Sequence, residues 1–441
     1  MSVLKPTHRE GKKEKNMHKL RRRVRTIGTA LAALVLSVLA APAAPAEDAT
    51  PAANTVVEWN QHANDALLAA GQPPHVYMLH MAMVHGAVYD AVNTIDGGYQ
   101  PYFSAPSAES WYSQDAAAAT AAYRVLVSLV PQQQPTLEQK YLASLGSISD
   151  GPSKDGGIAT GEGAAAAMLA ARDGDGRFGA PGFPVGSAPG EWRPVPPAFI
   201  NDPNAWVADV KPFLIRSAAE FRSKGPNPLD SSRYAKDFAE VKSLGSLTST
   251  TRTPDQTAAV LFWGAGHPPA MWGSMFRSIA LGGDLSTPDD ARLFATLYLT
   301  GADAAISCWD DKRYWGFWRP ITAIREADSD GNPRTEADPT WQPLLPTPPY
   351  PDHPSAHTCI SGSFVYTLQD FFETNRMSFG TQNPVNGIRR DFTHFSHAID
   401  EIIDARVWAG LHFRTADDQG ATIGKRVAHW RDQHNFQPTH R

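Results

Sequence analysis

The segment STPDDARLFATLYLTGADAAIS, residues 286–307, indicates the fold class because it is a strong helix-forming segment. Alanine and leucine, which have high helix propensity, fill eight of its 22 positions. Apolar spacing and composition predict further helices at residues 57–70, 76–93, 114–130, 158–172, 231–243, 254–265, 358–375, 389–408 and 416–434. Neither a β-hairpin nor a repeat of fixed period is predicted. We therefore expect an all-α protein made of two packed helical bundles.

Two stretches rich in proline and glycine separate the helical segments. The first spans residues 174–212, and the second, residues 328–354, runs directly into a histidine-containing motif. Stretches of this length without periodicity are typical of functional loops that cover a surface. A domain boundary is placed near residue 250, which gives an N-terminal helical domain at 47–250 and a second helical bundle at 251–441.

Residues 1–46 have the composition of a targeting segment. A basic stretch from Lys19 to Arg25 precedes an apolar run from Ile27 to Ala40, and Ala44-Pro45-Ala46 resembles a cleavage site. The apolar run is shorter than the roughly 20 residues that span a bilayer. The sequence therefore predicts a secreted protein with a cleaved signal peptide and no membrane span in the mature chain. The arginines are compatible with either the general or the twin-arginine export route.

The charge balance argues against one class of partner. Of the 441 residues, 42% are hydrophobic and 19% are charged, as in ordinary globular proteins. Residues 1–46 hold ten of the 40 basic residues and two of the 45 acidic ones, so the remaining chain has a net charge near −13. Nucleic-acid-binding proteins need a basic face, so no nucleic-acid partner is expected.

A first cluster of cations lies in KRYWGFWRP, residues 312–320. Lys312 and Arg319 are seven residues apart, so they would share one face of a helix. Two such cations repel each other unless an anion lies between them, although a solvated basic face has the same spacing. The surrounding tryptophans, Trp309, Trp315 and Trp318, favour the anion site because an exposed face rarely carries so many.

A second cluster, Pro354-Ser355-Ala356-His357, begins a predicted helix. Ser355 can cap this helix, and the free N–H groups and positive dipole end of a helix start attract anions. His357 lies in the first turn, where it can exchange protons with a bound anion near neutral pH. Taken alone, the motif fits an ordinary helix cap better than a binding site.

A third cluster places Arg406 and His412 on either side of a predicted tight turn. Gly410 is expected to end the preceding helix, and Thr415 with Asp418 is expected to form a capping box for the next one. His412 would then lie on the turn, close to Arg406. A turn histidine is weak evidence of a site by itself.

Together, the clusters resemble the signature of the superfamily of vanadium-dependent haloperoxidases and type 2 phosphatidic acid phosphatases. That signature is Lys, six residues, Arg-Pro; then Pro-Ser-Gly-His; then Ser-Arg, five residues, His. The matching residues are Lys312, Arg319, Pro320, Pro354, Ser355, His357, Arg406 and His412. Ala356 and Ala405 replace the glycine and the serine of the signature. The usual aspartate four residues after the last histidine is displaced, because Ala416 stands there and Asp417 follows.

The resemblance implies a haloperoxidase-like all-α fold and a vanadate cofactor. Three cations would neutralise the vanadate oxygens, namely Lys312, Arg319 and Arg406. Ser355 and the backbone N–H of Ala356 would add hydrogen bonds. His412 would be the metal ligand.

The resemblance also implies the reaction. His357 would assist proton transfer as hydrogen peroxide replaces an oxygen ligand, and a halide would then be oxidised to hypohalous acid or transferred to a small organic substrate. Trp315, Trp318 and Tyr350 are expected to line an apolar halide pocket.

Large helical surfaces are compatible with a homodimer.

Two other functions fit the same residues. In an exported acid phosphatase, His412 would be the nucleophile and His357 would protonate the leaving alcohol. Vanadate and phosphate are both tetrahedral oxyanions, but a large exported chain with aromatic residues near the site favours the peroxidase. A phosphate-binding protein without catalysis would not need both histidines. Cys308 and Cys359 are compatible with either a disulfide or two buried thiols.

Overall fold

The fold is dominated by helices. The computed structural model describes residues 54–103, 108–283 and 285–439, and within them it contains 13 α-helices and one two-stranded sheet. The helices are α1 (Thr55–Ala69), α2 (Pro74–Asp96), α3 (Gln114–Leu129), α4 (Gln134–Gly146), α5 (Pro152–Ala171), α6 (Ser232–Leu244), α7 (Pro254–Gly264), α8 (Pro268–Gly282), α9 (Thr287–Trp315), α10 (Pro320–Arg325), α11 (Ala356–Phe372), α12 (Phe395–Trp408) and α13 (Arg414–His434). The strands are β1 (Arg376–Gln382) and β2 (Arg389–His394), which pair antiparallel. The expected all-α class is confirmed.

The 29-residue helix α9 forms the centre of the molecule. The helix begins after Ser286, whose hydroxyl accepts a hydrogen bond from the N–H of Asp289 at 3.3 Å. Two aspartates in the first turn stabilise the helix start, because their negative charges lie at the positive end of the helix dipole. Its end is fixed by Gly316, whose φ of +51° stops the helix after Trp315. Lys312 and Arg319 therefore do not share a helix face as predicted, because Arg319 lies beyond this break.

Glycines allow the helices around α9 to pack closely. A Cβ atom on Gly301 of α9 would come within 2.5 Å of Phe364 on α11 and 2.6 Å of Met78 on α2. On α13, a Cβ on Gly420 would lie 2.2 Å from the hydroxyl of Thr358, and one on Gly424 would lie 2.3 Å from the carbonyl of Cys359. These four-residue-spaced glycines bring α13 against the first turns of α11, where the second motif begins.

The structure departs from the sequence predictions in several elements. Residues 389–394 form β2 rather than the start of a helix, because they pair with β1 across a turn at Asn386-Gly387, where the φ of Gly387 is +72°. Helices α4, α8 and α10 were not predicted. The predicted Thr415–Asp418 capping box is also wrong, because α13 begins at Arg414 and has no side-chain cap.

Some predictions concern features that the described residues do not test. The signal peptide at residues 1–46 lies outside them, so export stays a prediction. The boundary near residue 250 also stays a prediction, and the described residues belong to one compact unit. No helix among the described residues is long and apolar enough to cross a membrane.

Candidate active site

The start of α11 leaves polar groups without partners. Ser355 occupies the N-cap position, but its hydroxyl makes no hydrogen bond to the helix and none to any described residue, so the predicted capping bond is wrong. The backbone N–H of Ser355 instead donates to the carbonyl of Ala416 at 2.9 Å, which fixes the position of this turn. The N–H of Ala356 makes no hydrogen bond within the described residues either. A buried hydroxyl and a buried N–H are thus free to bind a ligand.

Arg319 connects this turn with the third motif. It is fully buried, and its Nε donates to the carbonyl of Tyr350 at 2.8 Å while Nη1 donates to the carbonyl of Leu411 at 2.8 Å. Nη1 also lies 3.1 Å from Nε2 of His412. Nη2 has no partner among the described residues. Arg319 is therefore fixed on one side and open on the other.

His412 is held by a carboxylate that the sequence analysis missed. Its Nδ1 lies 2.8 Å from Oδ1 of Asp352, and both side chains are at most 2% exposed. The carboxylate accepts a hydrogen bond from the N–H at Nδ1, so Nε2 carries the lone pair, toward which Nη1 of Arg319 donates. Asp352 thus supplies the support expected from the displaced aspartate after His412. Two features of the sequence could have identified Asp352: the aspartate expected four residues after His412 is displaced, and Asp352 lies just two residues before Pro354.

Burial raises the pKa of Asp352 to about 7, although the charges of Arg319 and Lys312 act in the opposite direction. Burial also holds the pKa of His412 well below its usual value, and the nearby Arg319 lowers it further. The imidazole of His412 is therefore neutral near pH 7 and able to act as a ligand or nucleophile through Nε2.

Lys312 lies beneath the proline-rich loop rather than free in the site. Its Nζ donates to the carbonyls of Pro351 at 2.7 Å and Asp352 at 3.1 Å, and also to that of Pro354. All three ammonium protons are thus directed at backbone carbonyls. Burial lowers its pKa to about 8. In this arrangement Lys312 contributes positive charge and holds the loop that carries Asp352.

Arg406 and His357, from the third and second motifs, also have unpartnered nitrogens. The side chain of Arg406 is buried, forms no ion pair within the described residues, and has an unpartnered Nε. Nε2 of His357 is also unpartnered. Burial lowers the pKa of both groups, and the charge of Arg406 lowers that of His357 further. The buried carboxylate of Asp417 acts in the opposite direction on the pKa of Arg406 but forms no ion pair with it. A buried guanidinium without an ion pair is costly, which is a reason to expect an anion beside it.

We refer to Arg319, Ser355, Ala356, His357, Arg406 and His412 as the cradle. Its unpartnered groups include two guanidinium nitrogens, a hydroxyl, a backbone N–H and a histidine nitrogen. This donor set fits a tetrahedral oxyanion such as vanadate or phosphate, because each oxygen can accept a charge-assisted hydrogen bond. Nε2 of His412 adds a nitrogen ligand or nucleophile to the same group.

A cavity of about 410 Å³ opens onto the cradle and is lined in part by Ala356, His357 and Arg406. Of the aromatic residues predicted to line a halide pocket, only Tyr350 borders it. Trp318 is fully buried in a separate apolar cluster with Tyr234 and Phe238. Trp315 packs against His353, with its ring centroid at 6.4 Å. The break at Gly316 explains the position of Trp318, which follows it, whereas Trp315 is the last residue of α9.

The aromatic wall of the cavity consists of Tyr350 and three tryptophans that were not predicted to line it. They are Trp263 of α7, Trp272 of α8, Trp309 of α9 and Tyr350 of the proline-rich loop. Trp309 and Tyr350 lie 5.2 Å apart between ring centroids. Sequence reasoning had no local signal for Trp263 and Trp272, since they lie on helices more than 80 residues before His357.

Part of the chain is similar in sequence to known proteins. Residues 292–439 match the family described as the VCPO second helical-bundle domain. The vanadium chloroperoxidase of Curvularia inaequalis is 28% identical over 183 residues, a match that covers 33% of this chain and 29% of that protein. The match thus spans less than a third of the fungal enzyme.

Two solved structures share the fold over most of their length. The first bacterial vanadium-dependent iodoperoxidase superposes with a TM-score of 0.77 at 22% identity, covering 88% of this chain and 98% of the other. A holo-type bacterial vanadium-dependent chloroperoxidase superposes with a TM-score of 0.69 at 17% identity, covering 86% and 97%. At these identities the likeness is one of fold.

Proposed function

We propose that this chain is a vanadium-dependent haloperoxidase, which oxidises a halide with hydrogen peroxide at a vanadate group held in the cradle. The observation that carries the proposal is a set of buried, unpartnered donors around a histidine that Asp352 orients at 2.8 Å. A structural cluster would pair these groups within the protein, whereas an oxyanion site leaves them open.

Each cradle residue has a part in holding the group. The unpartnered nitrogens of Arg319 and Arg406 would bind vanadate oxygens, with Ser355 and the Ala356 N–H as neutral donors. His412 would bind the metal through Nε2. Bound there, vanadate supplies a Lewis-acidic centre that activates peroxide toward halides without a change in metal oxidation state.

His357 would hold and move the proton. Its ring lies beside the cavity, and burial and the charge of Arg406 lower its pKa, so it is neutral in the protein without vanadate. The negative charge of bound vanadate would raise that pKa, and His357 could then accept a proton from an incoming peroxide. The buried guanidinium groups would stabilise negative charge there, because fixed charges act strongly when they are buried. The product is hypohalous acid.

The test uses purified protein, orthovanadate, hydrogen peroxide and either iodide or bromide, with halide oxidation followed by absorbance. Halide oxidation should depend on vanadate and should fall by at least about 10²-fold in His412→Ala. His397→Ala, at an exposed histidine of α12, is the matched control and should behave as wild type. A parallel assay supplies a chromogenic phosphate ester without vanadate. Ester hydrolysis with no halide oxidation would overturn the proposal in favour of a phosphatase.

A further inference from the structure

The cavity beside the cradle is much larger than its proposed inorganic substrates require. A water molecule in the liquid occupies about 30 Å³, and a halide or a peroxide is of similar scale. The cavity has a volume of about 410 Å³, which lies in the range of sites for drug-sized molecules. Its size therefore indicates a larger ligand that is present together with the oxidant.

The walls of the cavity fit a flat aromatic molecule. Four aromatic rings and seven prolines contribute to the lining. The indole N–H of Trp272 donates to Ser361 at 2.9 Å, and that of Trp263 donates to Glu401 at 2.9 Å. Because these polar edges are already bonded to protein groups, the rings offer mainly apolar and π surface to a ligand.

A polar pair from outside the motifs, His75 and Asp202, interrupts the apolar lining. His75, at the start of α2, is 6% exposed, and its Nε2 makes no hydrogen bond within the described residues. Asp202 lies 3.9 Å from this nitrogen, beyond hydrogen-bonding distance. The carboxylate is itself fixed, because it accepts the N–H of Asn204 at 2.9 Å and the indole N–H of Trp309 at 3.4 Å.

The His75 ring is held in place by packing. Its centroid lies 4.6 Å from that of Trp309, the same residue that contacts Asp202. Burial lowers the pKa of His75 to about 4, although Asp202 acts in the opposite direction. The imidazole is therefore neutral near pH 7, and one ring nitrogen can accept a hydrogen bond from a ligand hydroxyl.

We propose that this cavity binds a hydroxyaromatic substrate, whose hydroxyl is recognised by His75 and Asp202 and whose ring stacks on the aromatic wall. The proposal rests on the proposed function, which supplies hypohalous acid. An electron pair of the ring forms the carbon–halogen bond as the halogen–oxygen bond breaks. The ring carbon then loses its proton to the released hydroxide, so that the arene and hypohalous acid give the halogenated arene and water. His75 is a positioning residue in this scheme.

Binding can be measured without turnover. Calorimetry on vanadate-loaded protein without peroxide would compare 2-naphthol with 2-methoxynaphthalene, which has the same rings but no donor. We expect 2-naphthol to bind more tightly, and His75→Phe to weaken its binding by about 3- to 10-fold without affecting 2-methoxynaphthalene. His75→Gln, which keeps an acceptor, should retain the preference. His397→Phe is the matched control.

Equal affinity for the two naphthalenes, no binding of either, or an unchanged preference in His75→Phe would overturn the proposal. So would loss of the preference in both His75 variants together with loss of binding of 2-methoxynaphthalene, because that pattern indicates a structural role. The halide assay on wild-type protein is separate. Binding of 2-naphthol without halide oxidation would contradict the proposed function while leaving the assignment of the binding site intact.

Discussion

Two buried clusters of arginine differ in how their charges are compensated. In the first, which we call the Arg172 cluster, Arg172, Asp175 and Arg177 lie at the C-terminal end of α5. Asp175 pairs with Nη2 of Arg172 at 2.7 Å and with Nε of Arg177 at 2.9 Å. Nη2 of Arg172 also donates to the backbone carbonyl of Lys211, and its Nη1 donates to that of Pro212. In the cradle, Arg319 and Arg406 keep unpartnered nitrogens.

The difference shows which buried charges belong to the architecture and which belong to the site. A cluster in which each donor has an acceptor stabilises the fold. Here it fixes the loop after α5 against residues 211–212. A cluster with an excess of donors is destabilising unless a ligand completes it. Removing a charge should therefore have opposite consequences in the two regions.

The largest expected effect is on stability, in Asp175→Leu. This variant leaves the buried Arg172 and the partly buried Arg177 without a carboxylate, so the free energy of unfolding should fall by about 3–5 kcal/mol. Urea denaturation followed by circular dichroism measures it. Asp391→Leu, in the exposed pair with Arg389, is the control and should change stability by less than about 1 kcal/mol. Halide oxidation per folded molecule should not change in Asp175→Leu, and a selective loss of activity would remove the distinction between the clusters.

Arg406→Met should show the reverse pattern. Removing a preorganised charge beside the reacting group should lower kcat/KM for halide oxidation by about 10²- to 10³-fold. The free energy of unfolding of the vanadate-free protein should stay the same or rise, because a buried charge without an ion pair is replaced by an apolar chain of similar length. Steady-state kinetics and urea denaturation of the same samples give both values. A destabilised Arg406→Met with near-normal kcat/KM would mean that Arg406 has a structural role.

The sequence predicted the members of the cradle better than their arrangement. Arg319 and His412 meet at 3.1 Å, and His357 and Arg406 border the same cavity, although the motifs lie up to 93 residues apart. Spacing alone placed Arg319 on a helix with Lys312. That prediction failed because Gly316 adopts a left-handed conformation, which ends α9 early.

The remaining parts of the site depend on long-range packing. Asp352 lies in a proline-rich loop with no periodic pattern, and it reaches His412 only because the turn after α12 is folded against that loop. His75 and Asp202 come from segments far from the motifs, so no local pattern connects them with the cradle. The hairpin at Asn386-Gly387 had a recognisable turn signal, but the apolar spacing of the following helix obscured its second strand.

A smaller effect is expected for Asp352→Asn, which keeps a hydrogen-bond acceptor for Nδ1 of His412 but removes the negative charge. Support of this kind typically contributes about 10- to 100-fold to metal affinity, so vanadate should bind more weakly by that factor above pH 7. Since the pKa of Asp352 is about 7, its carboxyl becomes protonated below that pH and resembles the amide. The difference between variant and wild type should therefore shrink as the pH falls through 7.

Calorimetric titration with orthovanadate at several pH values measures this difference. Asp391→Asn, on the exposed strand β2, serves as the control and should follow wild type throughout. A difference in affinity that is constant between pH 6 and 8 would mean that the charge of Asp352 does not act on His412.

The smallest effect is expected where the chain departs from the family signature. Ala356 stands in the glycine position, yet its backbone N–H is free of partners and does not depend on the side chain. Ala356→Gly should therefore change vanadate affinity by less than tenfold, which corresponds to about 1.4 kcal/mol. The same titration measures it, and Arg406→Met provides the scale for a lost charge. A gain of more than tenfold would mean that the methyl group of Ala356 restricts access to the cradle. The hydrogen-bond donors of the cradle would then be unpartnered but partly blocked by this methyl group.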